Sequence, residues 1–319
     1  MKNKILITGG TGFLGRNLVK RLSEDKNNLI TILDNNSRSS AVVEKIQNKY
    51  KNVKYIEGSI LDYKIVNNAC KNIDTIFHLA YINGTKFFYT IPDKIFEVAV
   101  YGMINLIESA KNKDIKNFIL ASSSEVYQQP EIIPTPEEVD LKIPDILNPR
   151  YSYGGGKIFC ELLLFYYGKK YFKRSMIFRP HNVYGPNMGN EHVIPELIKK
   201  IDIAKKRKSK FITLEGKGNE TRSFIFIDDF IDALELIYKK GKNLNIYNIG
   251  TQDEVSIKYL LNLIQKKMFS NHKIKNIPIK KGGTLKRCPD IKKIKKLGFK
   301  RSFKLSYGLD QTIDWYKSI

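Results

Sequence analysis

Residues Lys4 to Gly15 read KILITGGTGFLG, and this stretch decides the fold. Ile5 to Ile7 is a short apolar run of strand type. Gly9, Gly12 and Gly15 follow at fixed spacing, and Arg16 to Leu22 continues as an amphipathic segment with Leu18, Val19 and Leu22 on one side. A strand, a glycine turn and a helix that opens on the last glycine form the start of a βαβ unit that holds a dinucleotide. Side chains at Gly9 and Gly12 are expected to hold the turn away from a pyrophosphate, and one at Gly15 to push the helix off the sheet. The helix start offers N–H groups and the positive end of a dipole to phosphate. A second apolar strand, Leu29 to Leu33, ends in Asp34. A carboxylate there can accept both ribose hydroxyls of adenosine, which selects NAD over its 2'-phosphorylated form. The expected cofactor contacts are Gly9, Thr11, Gly12, Phe13, Leu14 and Gly15 on the turn and Asp34 and Asn35 after the second strand. Arg38, in the next loop, is a further candidate for adenosine.

The 319 residues suit one large or two moderate domains with real cores, and 42% apolar content is that of a globular protein. No stretch approaches a membrane span, and the chain enters a strand at once, so no signal peptide is expected. Cys70, Cys160 and Cys288 are scattered, without metal-ligand spacing or a disulfide framework. We therefore expect no metal and a reducing, cytoplasmic setting. The net charge of +23 comes from 55 Lys and Arg against 32 Asp and Glu. Only Lys205 to Lys210, KKRKSK, is a dense basic run. The charge reads as a solvated surface that attracts an anionic, phosphorylated substrate, not as a nucleic-acid site.

Further strands are expected at Val53 to Glu57, Asp74 to Leu79, Phe118 to Ala121 and Arg174 to Arg179. Asp62 is a candidate N-cap. His78 sits in an apolar run and reads as a packed histidine, while the small Ala80 that follows Leu79 lets the backbone come close to a cofactor, and both are expected cofactor contacts. Asn83 to Ile91 reads as an irregular aromatic loop. Helices follow from Pro92 to about Lys111 and from Arg150 to Tyr171, separated by a proline-rich covering loop, Gln128 to Pro149. After Pro180 the pattern becomes mixed. The fold class is α/β: a Rossmann-like doubly wound parallel sheet with a smaller mixed α/β lobe. We assign residues 1–180 and 224–250 to the NAD-binding lobe and 181–223 and 251–319 to a substrate lobe.

Tyr153 and Lys157 stand four apart, on one helix face. Tyrosine ionises near pH 10 and is a poor base at neutrality; an adjacent ammonium favours the phenolate. Tyr153 can then take a sugar hydroxyl proton while hydride leaves the same carbon. Both residues also belong to the expected cofactor site. Ser122 to Ser124 follow a strand end, where a hydroxyl can bond the reacting oxygen. Glu125 is either a base for an acidified neighbouring proton or a loop anchor. Gly154 to Gly156 are poor helix material and permit close packing against a ligand or a neighbouring helix.

These stretches resemble the extended short-chain dehydrogenases that modify nucleotide sugars, over nearly the whole chain: GGTGFLG at Gly9, SSSEVY at Ser122, YGGGK at Tyr153, RPHNVYGP at Arg179 and TRSFIFIDD at Thr221. The resemblance implies catalytic roles for Ser123, Glu125, Tyr153 and Lys157. It implies nucleotide-diphosphate sugar contacts from Ser123, Ser124, Asn182, Arg222 and Arg287, the two arginines as diphosphate clamps. Glu125 matches the glutamate of 4,6-dehydratases and UDP-glucuronate decarboxylases. Ser124 stands where the usual dehydratase has its aspartate, as it does in the decarboxylases. Ser59 departs from an aspartate commonly placed near adenine. The implied first step is oxidation at sugar C4, completed as epimerisation, which we favour, or as 4,6-dehydration, decarboxylation or release of the ketone. A scaffold that binds NAD without catalysis is the rival of another class; the intact Tyr153 and Lys157 argue against it. A homodimer is expected too: the 92–111 and 150–171 helices, with Ile95, Val98, Met103, Leu106 and Ile107 on the first, carry more apolar surface than one sheet face needs, and related enzymes pair them in a four-helix bundle.

Overall fold

The computed structural model describes residues 2–37, 46, 48–278 and 283–318; Arg38 lies outside them. Strand β1 (Asn3–Thr8) leads to α1 (Phe13–Ser23), β2 (Asn28–Asp34), β3 (Val53–Glu57), α2 (Tyr63–Ala69) and β4 (Thr75–His78). Then come α3 (Thr85–Thr90), α4 (Pro92–Ala110), β5 (Asn117–Ala121), α5 (Ser152–Tyr171) and β6 (Arg174–Pro180). The second half holds β7 (Val183–Tyr184), α6 (Val193–Lys206), β8 (Phe211–Glu215), β9 (Thr221–Ser223), β10 (Ile225–Phe226) and α7 (Ile227–Lys240). It ends with β11 (Asn245–Ile249), β12 (Glu254–Ser256), α8 (Ile257–Lys267), β13 (Lys273–Ile277), β14 (Lys286–Arg287), α9 (Lys292–Lys296) and α10 (Leu305–Lys317).

Seven strands form one parallel sheet in the order β11-β6-β5-β4-β1-β2-β3. Chain order reverses between β1 and β4, which opens a crevice at the carboxyl ends of the strands. The sheet is buried on both faces because its strands alternate two apolar sets. Ile5, Ile7, Phe77, Ile119 and Phe178 join one core with α1 and α7. Leu6, Ile76, Phe118, Leu120 and Ile177 join the other with α4 and α5. The remaining strands make three small sheets, β10-β7, β12-β9-β14 and β13-β8. The result is a Rossmann-like doubly wound sheet with a smaller mixed part.

Asp62 caps α2, accepting from the amides of Lys64 and Ile65. Asn83 to Ile91 is not an irregular loop: α3 lies inside it, because burying Phe88 draws one short helix out of the aromatic run. The apolar residues expected to give α4 a spare face are mostly core. Ile95, Met103, Leu106 and Ile107 are buried within the chain, and the exposed apolar face is made by Phe96, Tyr101 and Ile104. Leu162, Phe165 and Tyr166 are exposed on α5, which packs along α4.

One buried ion pair ties these layers together. Arg179 on β6 donates from Nε and Nη2 to the two carboxylate oxygens of Glu161 on α5, at 2.8 and 2.6 Å. Ser122 Oγ also bonds Glu161. Arg179 Nη1 reaches the Tyr127 hydroxyl and the Glu137 carbonyl, and Tyr127 in turn donates to Asn248 on β11. Both charges are removed from water, so losing one partner strands the other. Replacing Glu161 with Gln should lower unfolding free energy by about 3–5 kcal/mol in urea titration. The double change to Glu161→Leu and Arg179→Met should recover much of that loss.

Candidate active site

A cavity of about 310 Å³ occupies the crevice. Its wall includes Gly9, Thr11, Gly12, Phe13, Leu14 and Gly15 after β1, Asp34 and Asn35 after β2, and Leu79 and Ala80 after β4. Ser123, Ser124, Glu125, Tyr153, Lys157, Asn182 and Arg287 line it as well. Arg222 does not, among the described residues. It sits beside Arg287 in the β9–β14 ladder and spends its terminal nitrogens on the carbonyls of Thr221, Thr284 and Leu285.

The glycines of the first turn have three different reasons. Gly9 has φ +74°, and a Cβ on it would lie 2.5 Å from the Ala80 amide nitrogen. The backbone that follows β4 thus already bars a side chain at this position. A Cβ on Gly15 would overlap the Gly9 carbonyl oxygen, so helix and turn approach as expected. At Gly12 a Cβ would meet only the Gly9 oxygen, at 3.3 Å. No side chain caps α1 there. An uncapped helix start facing a cavity fits a phosphate. Asp34 accepts from the Thr11 amide at 3.0 Å and the Asn36 amide at 2.8 Å, holding its carboxylate at the edge of the same turn. These groups fit a dinucleotide on their own chemistry.

His78 faces Thr8, with Nδ1 2.7 Å from Oγ1. Burial, aided by the Lys157 charge, lowers its imidazole to about 3, so it is a neutral packed group. Tyr153 is buried, stacked on Phe88 at 4.8 Å and met edge-on by Tyr81 at 5.2 Å. Lys157 Nζ donates to the Ala121 carbonyl at 2.7 Å and lies 5.9 Å from the Tyr153 ring centre. The glycines that open α5 are used for packing. A Cβ on Gly154 would strike Gln128 and the Glu125 carbonyl, and one on Gly156 would overlap the Tyr81 hydroxyl.

Ser123 caps the short 3-10 turn Ser124–Tyr127, its Oγ accepting from the Glu125 amide at 3.1 Å. Glu125 lies between two guanidinium groups, with Arg287 at 2.9 Å and Arg150 at 3.5 Å. Burial alone raises its carboxyl, but Arg287 and Arg150 outweigh that and hold it below the ordinary carboxylate value. Arg287 also donates to Thr284 Oγ1, while its buried Nε has no hydrogen-bond partner. Asn182, at φ +42°, donates to the Ser223 carbonyl. Ser59 lines the cavity and accepts from the Leu61 amide.

Sequence reasoning missed Tyr81 and Phe88, which flank Tyr153, and Arg150, which precedes the YSYGGGK stretch. It also missed Glu161, whose only signal is a charge four residues after Lys157 in an apolar helix, and His192, which lines the cavity without any local motif.

The profile of the NAD dependent epimerase/dehydratase family matches residues 5–250. The chain belongs to that family. It is 33% identical over 268 residues to dTDP-D-glucose 4,6-dehydratase of Dictyostelium discoideum, covering 79% of this chain but only 59% of that protein's length. It is 30% identical to UDP-N-acetyl-alpha-D-glucosaminuronate decarboxylase of Bacillus cytotoxicus, over 100% of this chain and 99% of that protein. The structure of UDP-N-acetylglucosamine 4-epimerase from Methanobrevibacter ruminantium M1 superposes with a TM-score of 0.87 at 26% identity, covering 100% of this chain and 99% of that one. Those three names carry three reactions, so membership of the epimerase/dehydratase family fixes the chemistry only to nucleotide-sugar epimerase or dehydratase type. No helix of the described residues is long and apolar enough to cross a membrane.

Within this family site, Lys157 is a charge in a dry place. Burial pulls its ammonium from 10.5 down to about 8, against weaker opposing pulls from Cys160 and Glu161. Between pH 8 and 10.5 the unfolded chain thus binds more protons than the folded one, and this residue adds stability as pH rises. At pH 7 its charging costs a few kcal/mol. Replacing Lys157 with Met should raise the melting temperature at pH 7, and that advantage should shrink as melts are repeated toward pH 10.5.

Proposed function

We propose that the protein is an NAD-dependent enzyme that oxidises a nucleotide-diphosphate sugar at C4 and that its net reaction is epimerisation at that carbon. The observation that carries this reading is the meeting of Tyr153, Lys157 and Ser123 at one cavity wall, beside a Glu125 locked between Arg287 and Arg150. The glycine turn, α1 and Asp34 would hold the cofactor, with Leu79, Ala80 and Lys157 continuing its bed. NAD supplies, when bound, a hydride acceptor and donor. Tyr153 takes the C4 hydroxyl proton on its phenolic oxygen, and Lys157 keeps that oxygen anionic. Ser123 hydrogen-bonds the reacting oxygen and fixes which hydroxyl is chosen. The partnerless Nε of Arg287 fits a substrate phosphate. In this reading residues 1–180 and 224–250 serve the cofactor, and 181–223 and 251–319 serve the sugar nucleotide.

Glu125 favours epimerisation over dehydration. Removing the C5 proton needs a carboxylate that readily accepts it, and two arginines lower the proton affinity of this one. Decarboxylation is the second reading: the same guanidinium groups, with Ser124 where a dehydratase acid would stand, also fit a carboxylate on the sugar.

Incubation with a panel of nucleotide sugars and product mass analysis tests these readings. Unchanged mass with an inverted C4 is expected; loss of water, of carbon dioxide or of two hydrogens indicates the dehydratase, decarboxylase or 4-dehydrogenase instead. Tyr153→Phe should suppress reduction of bound NAD by at least about 100-fold. Glu125→Gln should cost less than about tenfold in turnover, and no deuterium should enter C5 from heavy water. Rapid C5 exchange with loss of water by the unmodified protein overturns the epimerase reading.

We also propose a homodimer, formed by a second copy on the exposed apolar face of α4 and α5. Tyr101 and Tyr166 are 60% and 70% exposed there, beside Phe96, Leu162 and Phe165. A stripe of this kind on two packed helices is what a paired four-helix interface buries. Light scattering should give about twice the 36.9 kDa chain mass, and Tyr166→Glu should return the monomer. A monomeric unmodified protein at micromolar concentration sinks this proposal.

A further inference from the structure

Lys157 is buried without a carboxylate to balance it: among the described residues no acidic oxygen lies within ion-pair distance of its Nζ. Its charge is met instead by the Ala121 carbonyl and by the face of the Tyr81 ring, whose centre is 3.7 Å from Nζ. The edge-to-face contact of Tyr81 with Tyr153 at 5.2 Å sets the same ring against both. We propose that Tyr81 is a positioning residue, its ring face holding the Lys157 ammonium in register with Tyr153. This rests on the roles given above to Tyr153 and Lys157.

Three observations carry it. Tyr81 Oη is buried and has no hydrogen-bond partner among the described residues, so the contacts of Tyr81 with Lys157 and Tyr153 are made by its ring. The helix makes room for that ring: Gly156 is an unfavourable residue inside α5, and any Cβ there would overlap the Tyr81 hydroxyl. The other groups facing Lys157 cannot replace it. Cys160 is a buried thiol pushed up to about 11, Glu161 is committed to Arg179, and His78 on β4 is neutral. Tyr153 itself is the group to be activated. A cation over an aromatic face in a dry site is strongly favoured relative to the same cation against aliphatic carbon. The ring therefore opposes the loss of charge that burial promotes at Lys157.

The test compares Tyr81→Phe with Tyr81→Leu in the full-length chain. If the ring holds the ammonium, Tyr81→Leu lowers the alkaline limb of the kcat profile by about one pH unit, with little change in KM. Tyr81→Phe keeps the limb where it is. A purely structural Tyr81 predicts a smaller rate in Tyr81→Leu with an unmoved limb, and that result overturns the proposal. So does a limb that shifts equally in both variants. Gly156→Ala approaches the same question without removing the ring. It should narrow the profile by pushing Tyr81 aside, and Tyr81→Phe added to it should widen the profile again. A Gly156→Ala protein with an unchanged profile counts against the proposal even where Tyr81→Leu does not fold. A substrate-free readout separates this inference from the functional reading. Tyrosinate absorbance is titrated for each variant and for the same variant carrying Tyr153→Phe, and the difference reports Tyr153. Its midpoint should rise in Tyr81→Leu and not in Tyr81→Phe. That rise together with full activity in Tyr153→Phe sinks the functional reading and leaves the Tyr81 contact standing; no rise together with an inactive Tyr153→Phe does the reverse.

Discussion

The site depends on the buried pair Arg179–Glu161. Glu161 follows Lys157 by one helical turn, so anchoring Glu161 to β6 also fixes the height of Lys157 along α5. Ser122 bonds the same carboxylate, which sets where the loop after β5 begins. Lys157 then meets the Ala121 carbonyl, and Ser123 and Glu125 turn toward the crevice from the next residues. Charges this deeply buried tolerate little displacement, because partial loss of geometry leaves desolvation uncompensated. Precision near the sugar end of the cavity thus comes from a pair that does not touch the cavity.

Electrostatics divide the cavity. At the end proposed for the cofactor, the turn presents an uncapped helix start and an Asp34 braced by two amides. At the end proposed for the sugar, arginines gather around one glutamate, leaving surplus positive charge. Between them the lining is aromatic, with Phe88, Tyr81 and Tyr153 in contact. Such a middle is suited to excluding water from the proposed place of proton and hydride transfer, and the polar ends are suited to anions.

Much of this was legible in the sequence because the first βαβ unit obeys local rules. Glycine spacing, apolar period and Asp34 all point the same way, and the strand Val53–Glu57 falls where the pattern puts it. What was not legible depends on partners distant in the chain. The purpose of Gly9 lies in Ala80, that of Gly156 in Tyr81, and the state of Glu125 in Arg287. The short strands β9, β12 and β14 carry too few residues for a period to register, and pairing alone defines them. The helix Thr85–Thr90 hid for a similar reason: its signal is the burial of one phenylalanine.

The contact between Glu125 and Arg287 spans 162 positions of sequence. During synthesis, a chain that has emerged as far as β6 already has the glycine turn, Tyr153, Lys157 and the strands that bear them. It has Arg150 but not yet Arg287, the nearer of the two guanidinium groups on Glu125, nor Arg222 with which Arg287 pairs in a ladder. The residues proposed to hold the dinucleotide are thus made ahead of those proposed to hold the sugar nucleotide. Loop closure over so long a distance comes late, so the contact between Glu125 and Arg287 follows the local pairing of the strands that precede it.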